Sequence, residues 1–124
     1  MLAALRDNAR RLGFADLYAP LRPTDKHREP LTPFADYAAR RREDGLPYDS
    51  WVRTHLRLGA RILKVAPCSM VIAGTLAEWS HWTGLPFAAS GEIEVAGALS
   101  PVHVNLAQDH AVYVEPNVWV HHRV

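Results

Sequence analysis

The chain has 124 residues, 48% of them hydrophobic and 22% charged, with a mean hydropathy of −0.14; this is the profile of a folded domain, not of a disordered or membrane-embedded chain. Fourteen basic against 13 acidic residues leave a formal charge of +1, so the chain offers no broad electrostatic footprint for nucleic acid. No apolar run approaches the roughly 20 residues that span a bilayer, and the length suits one domain, residues 1–124, better than two.

Leu2, Leu5, Ala9 and Leu12 recur at steps of three and four, with Arg6, Asp7, Arg10 and Arg11 between them. This spacing predicts a helix that Gly13 stops. It starts inside its own periodicity, with no capping residue ahead of it, as a truncated helix would. The same segment lacks the apolar stretch of a secretory signal. A lone Cys68 forms no internal disulfide, which fits a reducing cytoplasm.

Leu17-Tyr18-Ala19 reads as a short extended run, closed by Pro20 and Pro23. Arg22 to Pro33 is a polar loop fenced by prolines. Phe34 to Glu43 reads as a short helix with Arg40, Arg41 and Arg42 at its end, where cations suit the dipole. Asp49 or Ser50 caps a further helix, Trp51 to Leu58, which ends at Gly59. Ile62 to Val65 is a strand, and Met70 to Ile72 is a second extended piece beyond Pro67. Leu76 to Trp82 is a helical turn broken by Gly84 and Pro86. From Gly91 the pattern alternates through Ile93, Val95, Val102, Val104, Leu106, Val112 and Val114, with a hairpin turn at Ala107-Gln108-Asp109-His110. Pro116-Asn117 interrupts the last run before Val118 to Val120. Helices early and strands late indicate an α+β domain, with a mixed or antiparallel sheet and two to four short helices.

Two stretches resemble GNAT-type N-acetyltransferases. Leu2 through Ala9, Leu12-Gly13-Phe14 and Leu17-Tyr18-Ala19 look like the helix and strand that follow that family's pyrophosphate loop. Trp51 through Gly59, Ala60-Arg61-Ile62, looks like its later helix running into a strand. The Arg22–Arg28 loop, Asp44–Asp49, the Trp79/Trp82 pair and Tyr113 through Trp119 are similar to an actinobacterial branch. The resemblance implies a partial GNAT-like fold, the C-terminal half of an acyltransferase. It implies acetyl-CoA or another acyl-CoA as co-substrate, a small-molecule amine acceptor and no metal. Arg53 and Arg57 are then candidate CoA contacts. The family's phosphate loop, Q/R-x-x-G-x-G/A, would lie just before Met1. The seven glycines of this chain are isolated and do not replace it. A missing N-terminal half or a homodimer would complete the sheet.

His55 stands four residues before Gly59, where the family commonly places the acid that protonates the leaving thiolate; histidine titrates in the right range. The alternative is a histidine packed beside Leu56 and Leu58. Glu115 is a candidate base near a strand end, or a solvated carboxylate. Arg22, Lys26 and His27 are candidate grips for an anionic substrate, as is the Arg40–Arg42 run; solvated faces are the alternative. Trp79, Trp82 and Trp119 line a pocket or fill a core, and Tyr113, beside Glu115, is a further candidate substrate contact. The seven histidines have no metal-ligand spacing: His121 and His122 point to opposite faces of a strand, and His103 and His110 meet only across a hairpin. The competing functions are therefore acyl transfer, a non-catalytic module that binds a small ligand or a second chain, and an unrelated enzyme with a histidine-rich pocket.

Overall fold

A computed structural model covers residues 1–124. In chain order the elements are α1 (Leu2–Arg11), β1 (Asp16–Leu21), α2 (Phe34–Ala39), α3 (Ser50–Arg57), β2 (Arg61–Gly74), α4 (Leu76–Thr83), β3 (Gly91–Ile93), β4 (Val102–Asn105) and β5 (His110–Arg123). A 3-10 turn, Lys26–Arg28, lies between β1 and α2. Every strand pairing is antiparallel. The chain is thus α+β with one five-stranded antiparallel sheet and four short helices, consistent with the expected partial GNAT-like fold. No helix is long and apolar enough to cross a membrane.

The last strand in the chain is the middle of the sheet. One edge of β5 takes β2, from Arg61↔His121 to Gly74↔Ala111. Its other edge takes β1 at one end, Asp16↔Arg123 to Leu21↔Val118, and β4 at the other, His103↔Val112 to Asn105↔His110. Between Val112 and Val118 that second edge faces no strand. The polar network described below occupies this gap.

Both long strands run through prolines that the sequence pattern reads as breaks. The ladder between β2 and β5 shifts register between Ala66↔Asn117 and Met70↔Glu115. Pro67 falls inside that irregularity and Pro116 opposite it, so neither lacks a partner for the N–H it does not have. Burial along β5 changes phase at the same place. Residues 111, 113, 115 and 117 are buried, then 118, 120 and 122. Two apolar clusters follow from this. Trp79, Phe87, Val102, Val104, Ala111 and Tyr113 pack under α4; Leu21, Val52, Ala60, Val118 and Val120 pack under α3.

Helix boundaries follow from caps. Thr75 and Glu78 form a reciprocal capping box at the start of α4, and Gly84 ends it with φ of 74°. Asp49 starts α3 by accepting from the N–H groups of Trp51 and Val52 at 3.0 and 3.1 Å. The same carboxylate accepts from Asp25 N–H, Thr24 N–H and the Tyr37 hydroxyl, the last at 2.7 Å. One buried side chain therefore joins the Arg22–Pro33 loop, α2 and α3. Burial, then Asp49, holds the Tyr37 phenol well above its ordinary range. α2 stops at Ala39, earlier than the arginine run suggested. Arg40 leaves the helix and grips Glu29 through two hydrogen bonds of 2.7 and 2.8 Å.

Candidate functional site

Glu115 sits where the second edge of β5 faces no strand, opposite Met70 of β2 on the first, and is only 4% exposed. Its Oε1 accepts from Arg22 Nε at 2.9 Å and from the Tyr113 hydroxyl at 3.0 Å, and its Oε2 accepts from Asn117 Nδ2 at 3.3 Å. Tyr113 Oη in turn accepts from Leu99 N–H at 3.0 Å, and Asn117 Oδ1 accepts from the Ser69 hydroxyl at 2.6 Å. Burial is the main reason the Tyr113 phenol stays above its usual range, and it is a hydrogen-bond donor to the carboxylate at neutral pH. Arg22 follows the last residue of β1. It places Nη2 2.7 Å from the Gly97 carbonyl while its side chain stays 47% exposed.

A groove of about 490 Å³ runs between the end of α4 and the segment before Gly97, the residue whose carbonyl Arg22 holds. Trp82, Thr83, Leu85, Glu94, Val95 and Ala96 line it. Trp82 is half-exposed and rests edge-on against buried Trp79, with ring centroids 5.3 Å apart. A hollow of about 550 Å³ opens at the β2 bulge, walled by Pro20, Lys64, Cys68 and Trp119. Trp119, a candidate pocket residue from sequence, lines that second hollow, whereas Arg22, Glu115, Tyr113 and Trp82 do not.

His55 lies on the opposite part of the molecule, inside. It is 2% exposed, and its Nδ1 is 2.8 Å from Nε2 of His122, which is 1% exposed. The outer nitrogens of both rings, with Arg6 Nε, are buried polar atoms without a partner in the chain. Trp51 meets the His55 ring edge-on at 4.5 Å. Burial first, then the neighbouring imidazole, pushes His55 down to about 4; burial and Arg6 lower His122. The pair is therefore neutral at pH 7. Between pH 6.5 and about 4 the unfolded chain binds a proton that folded His55 refuses, so stability is intact above pH 6.5 and falls as pH drops through that window. The expected loss is about 3 kcal/mol by the linkage relation. It is read as a falling melting temperature across the window, with a flatter profile for His55→Gln.

The remaining candidates separate by location. Lys26 is buried and donates to the Glu29 and Leu99 carbonyls at 2.7 and 2.6 Å, tying the proline-fenced loop to the residue before Ser100. Burial lowers its ammonium, with Glu29 opposing. His27 is exposed, its Nδ1 2.8 Å from the Thr24 carbonyl. Trp79 is core, donating Nε1–H to the Ala111 carbonyl at 2.9 Å. Arg53 donates to the Pro47 and Tyr48 carbonyls, while Arg57 is exposed on α3 without a hydrogen bond. Arg41 folds back on backbone carbonyls and Arg42 lies 3.5 Å from Asp44. His103 is paired in register with Val112, not His110, and its ring is near Glu92. His121 and His122 do diverge, the first to Asp16 and the second to His55. Arg22, Glu115 and Tyr113 thus converge, with Trp82 along the adjoining groove, whereas His55, His27, Arg53 and Arg57 lie elsewhere. Glu94 and Arg6 carry no sequence signal that marks them, and His122 stands out in sequence only as one of two adjacent histidines.

No protein-family model matches the chain, and no solved structure matches it. Among curated proteins the chain is similar to the arginine N-acetyltransferase avaD of Aspergillus versicolor, at 37% identity over 142 aligned positions. The alignment takes in the whole of this chain and 49% of the relative, so the chain spans about half the length of the curated relative it matches. That relative is an N-acetyltransferase by name and fungal by source, whereas the loop features pointed to a bacterial branch.

Proposed function

We propose that this chain is an acyl-CoA-dependent N-acyltransferase, or part of one, acting on a small amine in a reducing cytoplasm. The observation that carries the reading is the whole-chain similarity to an arginine N-acetyltransferase. In the reaction the acceptor nitrogen attacks the thioester carbonyl, a C–N bond replaces the C–S bond, and the thiolate takes up the proton the amine loses. Within this reading the Glu115 carboxylate positions Arg22 and Tyr113, since both its oxygens are already engaged. The closed His55–His122 pair orders α3 against β5.

The donor fits this chain in part. Arg57 keeps its guanidinium free for a phosphate, and Arg53 is partly committed. The isolated glycines build no phosphate loop here. Acetyl-CoA binding to these residues should then be weaker than about 100 μM, near −5.5 kcal/mol, when followed by calorimetry. Thiol release from acetyl-CoA, measured with a panel of small amines, tests the activity. Amine-dependent release with matching acetylated product supports it, and folded chain that releases no thiol with any amine contradicts it.

The outer edges of β1 and β2 carry no strand and favour a second reading, a non-catalytic module that pairs with another chain or forms a homodimer. It predicts self-association in sedimentation and no thioester cleavage.

A further inference from the structure

Of the donors on the Arg22 guanidinium, Nε–H is spent on Glu115 and one Nη2–H on the Gly97 carbonyl. Both hydrogens of Nη1 and the second of Nη2 have no partner in the chain. They form the outer end of a planar fork, the shape that takes a carboxylate in two parallel hydrogen bonds. The fork does not swing, because a carboxylate that is itself buried and held by Tyr113 and Asn117 fixes its inner edge. Glu115 also offsets most of the arginine's charge. What remains suits a single carboxylate better than a multiply charged phosphate.

Gly97, which Arg22 holds, is the next residue after Ala96 in the wall of the groove along α4. Farther along the same wall stands Glu94, exposed and without an ion pair or hydrogen bond in the chain. Trp82, half-exposed and packed edge-on against Trp79, lines the same groove. An aromatic face beside an unpaired carboxylate attracts a cation. Glu94 and Gly97 are three residues apart, across the turn that Ala98 N–H closes on the Val95 carbonyl, so about 10 Å at most, and this is the scale of an amino acid with a long basic side chain. At about 490 Å³ the groove is ample for one.

We propose that this groove is the acceptor site for a basic α-amino acid, its carboxylate on Arg22 and its side-chain cation between Glu94 and Trp82. The assignment rests on the acyltransferase reading for its physiological meaning, but it is a statement about binding and is tested by binding. Arginine, agmatine (which lacks the carboxylate) and citrulline (a neutral ureido group in place of the guanidinium) are titrated calorimetrically into the whole chain. The unaltered chain should bind arginine at least about tenfold more tightly than either analogue, a charge-assisted contact being lost in each case. Arg22→Lys keeps a cation for Glu115 and removes the fork; it should erase the preference over agmatine and keep the preference over citrulline. Glu94→Gln, at an exposed position that threatens no packing, should do the reverse. Either variant leaving both preferences intact overturns the assignment. If no amino acid binds while carboxylate-free amines are still acetylated, the site falls and acyl transfer stands. If there is neither binding nor transfer, both fall.

Discussion

Asp49→Ala should cost about 4 kcal/mol, a large share of the stability of a domain of this size. The side chain is 4% exposed and accepts five hydrogen bonds, from Thr24, Asp25, Trp51 and Val52 N–H and from the Tyr37 hydroxyl. Removing it uncaps α3, worth about 1 kcal/mol alone. It also leaves the Tyr37 hydroxyl in the interior with no acceptor, and strands the two loop amides that fix the chain beyond Arg22. Asp49→Asn retains one acceptor oxygen and turns the other position into a donor, so about half the loss is expected. Urea unfolding followed by circular dichroism gives both numbers. A midpoint for Asp49→Ala close to that of the unaltered chain would show that the five bonds are replaced by water at little cost. Because Arg22 enters the site from this loop, the alanine variant should also weaken arginine binding at temperatures where it remains folded.

Trp79→Ala should cost about 3–5 kcal/mol, the range for emptying a large aromatic site in a core. The indole is 5% exposed, packs with Phe87 at 5.9 Å between centroids, and satisfies its own N–H on the Ala111 carbonyl. It also backs Trp82, so the groove loses a wall even where the fold survives. Trp79→Phe fills most of the volume and gives up the hydrogen bond, and a loss of about 1–2 kcal/mol follows. Thermal unfolding measures the stability term, and arginine titration of the phenylalanine variant measures the effect on the groove. An unchanged melting temperature in Trp79→Ala would contradict the placement of this residue in the core.

Much of the architecture was legible in the residues. The stripe of Leu2, Leu5, Ala9 and Leu12 gives α1, Asp49 caps α3, and the turn at 107–110 joins β4 to β5. The strand lengths were not legible. Pro67 and Pro116 read locally as breaks, and only the facing register shift, a long-range fact, lets β2 and β5 continue through them. The same limit applies to the site. Arg22 and Glu115 are candidates from sequence, but their 93-residue separation is closed only because the last strand inserts beside the first. His55 is conspicuous for its spacing before Gly59, yet its surroundings depend on His122, 67 residues later. Lys26 reads as a loop cation; burial turns it into a tether. Glu94 is silent in sequence because its meaning lies in what it lacks, a partner, and in the groove it faces.

The most direct measurement is the fate of a labelled acetyl group. The chain is incubated with isotopically labelled acetyl-CoA and arginine, and the products are separated by mass spectrometry. Label is expected on arginine in proportion to thiol released, with less of it on agmatine and citrulline, at a rate that keeps rising with acetyl-CoA beyond about 100 μM. Folded chain that leaves all label on CoA or water, whatever the amine, would contradict it.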